Sequence, residues 1–265
     1  MRKSNKKAIL QLANILVPIL LLIILSILSI GQGDFTDIFQ PSGESSLIDP
    51  VGFTFAIWGP IFIFLAIYLL YQARDIFKSA EDKIEMPYVD KISIFFILST
   101  IMAALWYIFW VYQIIWLSTL SMILYLISIL MGYIRLDINR QERTLKEQIT
   151  IVIPWSIYTA WITAATIVSI TTFFETINFN EPPFLLSDTY WAILVLLITL
   201  IIYLAVLLTR NDFYYGGVGI WVLLGILFER VSTTPINIEV VIVSVIGMVI
   251  LTIGIIYVIL KAKRE

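Results

Sequence analysis

The residues with the most chemistry to offer in this chain are aromatic. Its 265 residues include 8 Trp, 13 Tyr and 16 Phe, with no histidine and no cysteine. Without thiols there is no disulfide, no thiolate metal site and no thiol nucleophile. Without imidazole there is no Ser-His-Asp relay, no His-ligated haem and no histidine proton relay. No catalytic set, metal set or resident cofactor is therefore expected. What remains is stacking, since an indole offers a flat apolar face and one N–H donor. Phe55, Trp58, Phe62, Trp106, Trp110, Trp155, Tyr158 and Trp161 form the candidate ligand-binding set, suited by type to a pocket for a flat apolar small molecule. Trp106 and Trp110 are four apart and share one helix face. The competing expectation is structural. Trp116, Trp155 and Trp191 lie near the ends of apolar runs, where an interfacial aromatic belt is the ordinary role. Trp58, Trp106 and Trp161 lie deeper, where helix packing is the alternative to a pocket wall.

The elements that position these residues are membrane spans. The chain is 60% hydrophobic and 14% charged, against about 25% charge in a soluble domain. The apolar residues gather into runs of the length that crosses ~30 Å of hydrocarbon. Eight are read, over 8–30, 51–71, 92–111, 114–134, 149–171, 189–209, 214–228 and 238–260. The fold class expected is all-α, a polytopic transmembrane helical bundle. Only Tyr112 and Gln113 separate the third and fourth runs, which predicts a tight helical hairpin. The seventh is the weakest, short and opening with Gly216, Gly217 and Gly219. It spans with little tilt, enters only part way, or crosses a thinned bilayer. The first run is too long for a signal-peptide core and no small-residue cleavage site follows it, so it is expected to stay as a helix.

The basic residues set the orientation. The first tail, the segments after spans two, four and six, and the C-terminal tail together hold sixteen of the 17 Lys and Arg. Arg230 alone lies on the other side. The positive-inside rule puts the crowded side, and with it both termini, in the cytoplasm. A seven-span reading without the seventh helix would place Lys261, Lys263 and Arg264 outside, against that rule. Of the outer loops, the first carries Asp34, Asp37, Glu44 and Asp49 and the one after span five carries Glu175, Glu181 and Asp188, neither with a base. Phe35, Ile38, Phe39, Leu47 and Ile48 lend loop one apolar character, so two placements stay open: a solvated connector, or a segment lying against the membrane or over the bundle.

No ionisable residue falls near a span centre; Asp212, Glu229 and Glu239 sit at span ends. This argues against a proton pump, voltage sensor or charge-lined channel. Span five carries Ser156, Ala160 and Ala164 at intervals of four, a small-residue stripe that lets another helix approach. Tyr158 and Trp161 project from a neighbouring face. Pro154 is expected near the helix start, where its missing N–H costs little, and Pro60 is expected to bend helix two. Leu69–Arg74 and Leu130–Arg135 match the weak Leu-Tyr-basic sterol pattern, which is also the look of any span ending in a Tyr-Arg anchor.

The segment from Asp49-Pro50-Val51-Gly52-Phe53 through Trp58-Gly59 resembles the start of helix two in the TspO/MBR family, the tryptophan-rich sensory or translocator proteins. Leu105-Trp106 resembles the family's third-helix pair, and Pro154-Trp155-Ser156-Ile157-Tyr158 with Trp161 resembles its fifth helix. The resemblance implies a five-helix transmembrane bundle over 1–175 and a three-helix extension over 176–265, as in the longer bacterial members. It also implies binding of porphyrins or other flat apolar ligands among the helices, under the loop joining helices one and two. By resemblance Trp58, Trp106, Tyr158 and Trp161 map to pocket-lining positions. The sequence departs from the pattern at Ala103, where the family has Asn, and in loop one, whose aromatic and proline-rich stretch is reduced to Pro41 and Pro50.

The function expected is binding of an apolar small molecule, with a tetrapyrrole as the leading candidate, as a sensor or carrier in the plasma membrane. The alternatives are a transporter or permease-like subunit, a porphyrin-degrading enzyme and a structural scaffold. The expected partners are membrane lipid and the small molecule; nothing points to nucleic acid, and a homodimer is left open.

Overall fold

A computed structural model describes residues 2–30, 46–79, 81–179 and 186–263. Eight helices are long and apolar enough to cross a membrane, and no strand occurs among the described residues. They are α1 (Arg2–Leu28), α2 (Trp58–Ala73), α3 (Pro87–Val111), α4 (Ile115–Arg135), α5 (Leu145–Thr176), α6 (Asp188–Arg210), α7 (Phe213–Ser232) and α8 (Ile238–Ala262). The chain is a multi-pass, all-helical membrane protein.

The helix starts follow local chemistry. A 3-10 segment, Gly52–Ile57, leads into α2. Pro60 has no N–H to give the carbonyl of Ala56, and its ring crowds that carbonyl, so an α-helix cannot extend back through this turn unbroken. The consequence of Pro60 is this change of helix type at its N-terminal side. α5 begins at a capping box, in which Thr144 accepts from the Glu147 N–H and the Glu147 carboxylate accepts from the Thr144 N–H. Pro154 therefore lies well inside α5, not near its start. The helix absorbs it through a π-helical stretch, Gln148–Val152, directly before the proline, since a locally widened turn relieves the clash and the lost bond. α7 is capped by Asp212, whose carboxylate accepts from the Tyr215 N–H at 3.0 Å. With 20 residues it is a full-length span candidate, about 30 Å at ~1.5 Å per residue. The link between α3 and α4 is the tight turn expected, with Gln113 at φ 58 and the Ile114 N–H on the Phe109 carbonyl.

The chain divides by packing into two compact units, one of residues 1–41 and 61–155, the other of residues 42–60 and 156–265. The division expected at residue 175 is one of resemblance, and these units are ones of contact. In the first unit α1 and α4 pack on α3. Its core centres on Trp155, which is 0% exposed. The Trp155 ring meets Tyr68 edge-on at 5.9 Å and Phe96 at 6.2 Å. Gly132 leaves room for it, since a Cβ there would overlap the indole atoms Cζ3 and Cη2. The interfacial-belt role expected of Trp155 is thus overturned: the residue is core. Trp116, at 58% exposed, keeps a surface position.

The same unit buries a polar network that ties α1 to the end of α2. Lys7 Nζ donates to Asp75 at 2.6 Å, Gln11 Nε2 to the other Asp75 oxygen at 2.8 Å, and the Ile84 N–H to Asp75 at 2.8 Å. Asn14 donates to Gln72 Oε1 and to Ser93 Oγ. Burial alone would raise the Asp75 carboxyl, but Lys7, Gln11 and the Ile84 N–H outweigh it and hold it below its usual 3.8. The two sterol-pattern tyrosines are engaged within this unit. Arg74 stacks over Tyr71 at 3.8 Å, and Tyr133 is 1% exposed. The anchor reading fits the Tyr71–Arg74 pair, whereas Tyr133, like Trp155, is core.

In the second unit α6, α7 and α8 pack on one another and the 3-10 segment packs on α7. The stripe of Ser156, Ala160 and Ala164 is buried. It receives polar groups from α6 and the start of α7: Tyr203 donates to the Ala160 carbonyl at 2.7 Å and Ser156 donates to Asp212 at 2.6 Å. Of loop one, Ile48 is buried; Phe35, Ile38, Phe39, Pro41 and the acidic Asp34, Asp37, Glu44 and Glu181 lie outside the described residues.

Candidate functional site

Helix two's start and helix five supply the aromatic cluster, and each is placed by a specific contact in the second unit. The Val51 N–H donates to the Gly225 carbonyl at 3.1 Å, and Trp221 Nε1 donates to the Thr54 carbonyl at 2.8 Å. Gly225 permits this approach, since a Cβ there would overlap Thr54 Oγ1. The 3-10 geometry of Gly52–Ile57 then turns Phe55 and Trp58 toward α5. On α5, the close seating of the small-residue stripe leaves Tyr158 and Trp161 inward, at 5% and 3% exposed.

Four of the eight candidate residues meet there. Trp58 stands 6.2 Å from Trp161 and 6.4 Å from Tyr158, and Phe55 stands 5.7 Å from Trp161, all edge-to-face. This is the preferred geometry of neighbouring rings. Phe55 and Trp58 are half-buried, so the cluster is not closed on all sides. The indole Nε1 of Trp161 is shut from solvent and has no hydrogen-bond acceptor among the described residues. A buried donor left unpaired costs about 1–3 kcal/mol, a cost that an acceptor on a ligand would remove.

The remaining four candidates lie in the first unit. Trp106 and Trp110 are neighbours at 6.2 Å, as the i, i+4 spacing requires, and Trp110 is buried. The Trp106 carbonyl accepts from Ser118 Oγ at 3.0 Å, across the α3–α4 hairpin. Trp155 is core, as described, and Phe62 is 52% exposed. The sequence reading missed Asp212, Tyr203, Tyr215 and Thr163, which carry the polar joints of α5. Tyr215 and Thr163 share a hydrogen bond of 2.6 Å. The legible signal was Asn211-Asp212 before an apolar run, the pattern of a helix N-cap.

These features coincide with one result from comparison. A family model described as TSPO-like protein matches residues 8–257, so it runs through the last three helices as well as the first five. No curated protein and no solved structure gives a match. With nearly its whole length matched, the chain belongs to the TSPO-like family of membrane proteins.

Proposed function

We propose that this protein binds a flat apolar small molecule, with a tetrapyrrole as the leading candidate, and serves as a sensor or carrier in the plasma membrane. The observation that carries the reading is the cluster of Phe55, Trp58, Tyr158 and Trp161, with a buried indole N–H available to an acceptor. Family membership supports the choice of an apolar ligand over an ion, as do the span interiors, which the sequence leaves without ionisable residues. The protein is read as a binder and not as an enzyme.

The test is titration of protoporphyrin into detergent-purified protein, followed by porphyrin fluorescence. Trp58→Ala or Trp161→Ala is expected to weaken binding about 5- to 150-fold, the equivalent of about 1–3 kcal/mol of lost stacking and burial. Trp116→Ala, at an exposed position outside the cluster, should leave it unchanged. Equal affinity in all four proteins would remove the cluster from the function. Turnover of porphyrin that disappears with Trp58 or Trp161 would favour the enzyme reading instead.

Both termini are proposed to lie in the cytoplasm, on the strength of the sixteen-to-one division of basic residues. Because the chain has no native cysteine, single cysteines report topology cleanly. Cysteines at Ser42 and Asn180, which lie outside the described residues, are expected to react with an impermeant reagent applied to intact cells. Cysteines at the exposed positions Ser79 and Gln141 should react only after lysis. The reverse pattern overturns the orientation.

A further inference from the structure

The single basic residue that the charge pattern assigns to the outer side has an unusual setting. Arg230 lies at the end of α7, and only 3% of the residue is exposed. Counting back by four and seven along the helix, its face continues through Ile226 and Leu223, both buried. The guanidinium therefore ends an apolar column at the end of α7. It cannot shed its proton, and it has no route to water by extending along the surface.

Among the described residues, no partner reaches its Nε or Nη2 within hydrogen-bond distance. The carboxylate of Glu229 is 3.6 Å from Nη2, close enough for charge attraction but beyond hydrogen-bond reach. Asp49 feels the Arg230 charge, and one of its carboxylate oxygens, Oδ2, accepts from the Ser46 N–H at 2.8 Å. Nε and Nη2 are both buried and without a hydrogen-bond acceptor among the described residues. These two nitrogens are the side edge of the guanidinium, whose parallel N–H bonds match the two oxygens of a carboxylate or phosphate. Burying an ion costs several kcal/mol unless its hydrogen bonds are met, so a side edge unmet among the described residues points to an oxyanion partner.

We propose that the Nε–Nη2 edge of Arg230 is a docking point for an oxyanion carried on an apolar body. The carboxylate of the apolar ligand and the phosphate of a lipid headgroup share this chemistry. The first source rests on the binding function proposed above; the second does not. The neighbouring Glu229 and Asp49 limit the net positive charge at the site, so they set the strength of anion binding without occupying the edge.

The experiment has two arms, both on full-length protein in a phosphate-free detergent. In the first, protoporphyrin and its dimethyl ester are titrated. Wild type is expected to prefer the free acid about tenfold or more, the worth of a charge-assisted bidentate contact. Arg230→Gln should abolish the preference while leaving ester affinity unchanged, and Arg230→Lys, which keeps the charge but loses the planar edge, should reduce it. Asp49→Asn, which removes a competing negative charge, should strengthen it. In the second arm, phospholipid retained after purification is counted by native mass spectrometry. Loss of one retained phosphate lipid in Arg230→Gln, with its retention strengthened in Asp49→Asn, assigns the site to a lipid headgroup. That outcome supports the docking point even if neither porphyrin form binds, which is the result that would instead sink the tetrapyrrole reading. No acid preference and no Arg230-dependent lipid would overturn the proposal, as would an Asp49→Asn variant that weakens both.

Discussion

Trp155→Ala is expected to destabilise the protein by about 3–5 kcal/mol, the range for emptying a closed aromatic core site. The ring is 0% exposed and held by Tyr68, Phe96 and the backbone of Gly132, so little can collapse into the space it leaves. In a lipid setting the loss falls mainly on dispersion contacts, because the helices gain little from leaving hydrocarbon for one another. The converse variant, Gly132→Ala, should also destabilise, since its Cβ would meet Trp155 Cη2 at 2.5 Å and overpacking costs about 1–3 kcal/mol. Combining Gly132→Ala with Trp155→Phe, which removes the clashing atoms, should cost less than the sum of the two single changes. Thermal unfolding in detergent measures all of these. A loss under 1 kcal/mol for Trp155→Ala would contradict the core assignment.

The second large effect is expected at Asp75. Asp75→Ala leaves the Lys7 ammonium, only 12% exposed, without its carboxylate, and breaking a buried pair costs about 3–5 kcal/mol. Replacing both partners, Lys7→Met with Asp75→Leu, should recover much of that loss, because no uncompensated charge then remains. The pH dependence has a definite sign. Burial opposes ionisation of Asp75, but Lys7, Gln11 and the Ile84 N–H together hold its folded pKa below the usual 3.8. The pair's contribution is therefore full above that value and is lost as pH falls through the lower folded pKa. Asp49 behaves oppositely. Burial pushes its carboxyl up to about 6, against the Ser46 N–H and Arg230, which lower it. Its protonated form favours the folded state, and that contribution is lost as pH rises from 3.8 through about 6. Unfolding curves of Asp75→Asn below pH 3.8, and of Asp49→Asn between pH 3.8 and about 6, should each be flatter than wild type in that window.

The eight spans were legible because each announces itself locally, as a run of apolar residues bounded by charged or polar residues. Even α7, glycine-rich at its start, had its beginning written in Asp212. The aromatic pairings of Trp58, Tyr158 and Trp161 were legible only through resemblance, since no periodicity connects residues so far apart in sequence. Two features were misread for one reason. Pro154 and Trp155 stand near the start of the apolar run of span five, which suggested a helix start and an interface. The capping box at Thr144 extends α5 by more than two turns ahead of them and carries both inward. The network of Lys7, Gln11, Gln72 and Asp75 joins residues more than sixty positions apart. Its signal was present as Gln11 and Asn14, two amides three apart in the apolar run that follows Lys7, but their partners were not. Arg230 was singled out by charge alone, and its burial is a tertiary fact.

On the proposed function, a flat apolar ligand is held by stacking and burial against Phe55, Trp58, Tyr158 and Trp161, with no bond from the protein to a metal. The most direct measurement is parallel titration of metal-free protoporphyrin and of haem into the purified protein. Removing a flat face from water contributes roughly 25 cal/mol per Å² whether or not iron is present, before association costs. Stacking on an indole adds about 0.5–1.5 kcal/mol to either ligand. The two should bind with similar affinity, and Trp58→Ala and Trp161→Ala should weaken both alike. Binding of haem alone, with the absorption band of ligated iron, would contradict it.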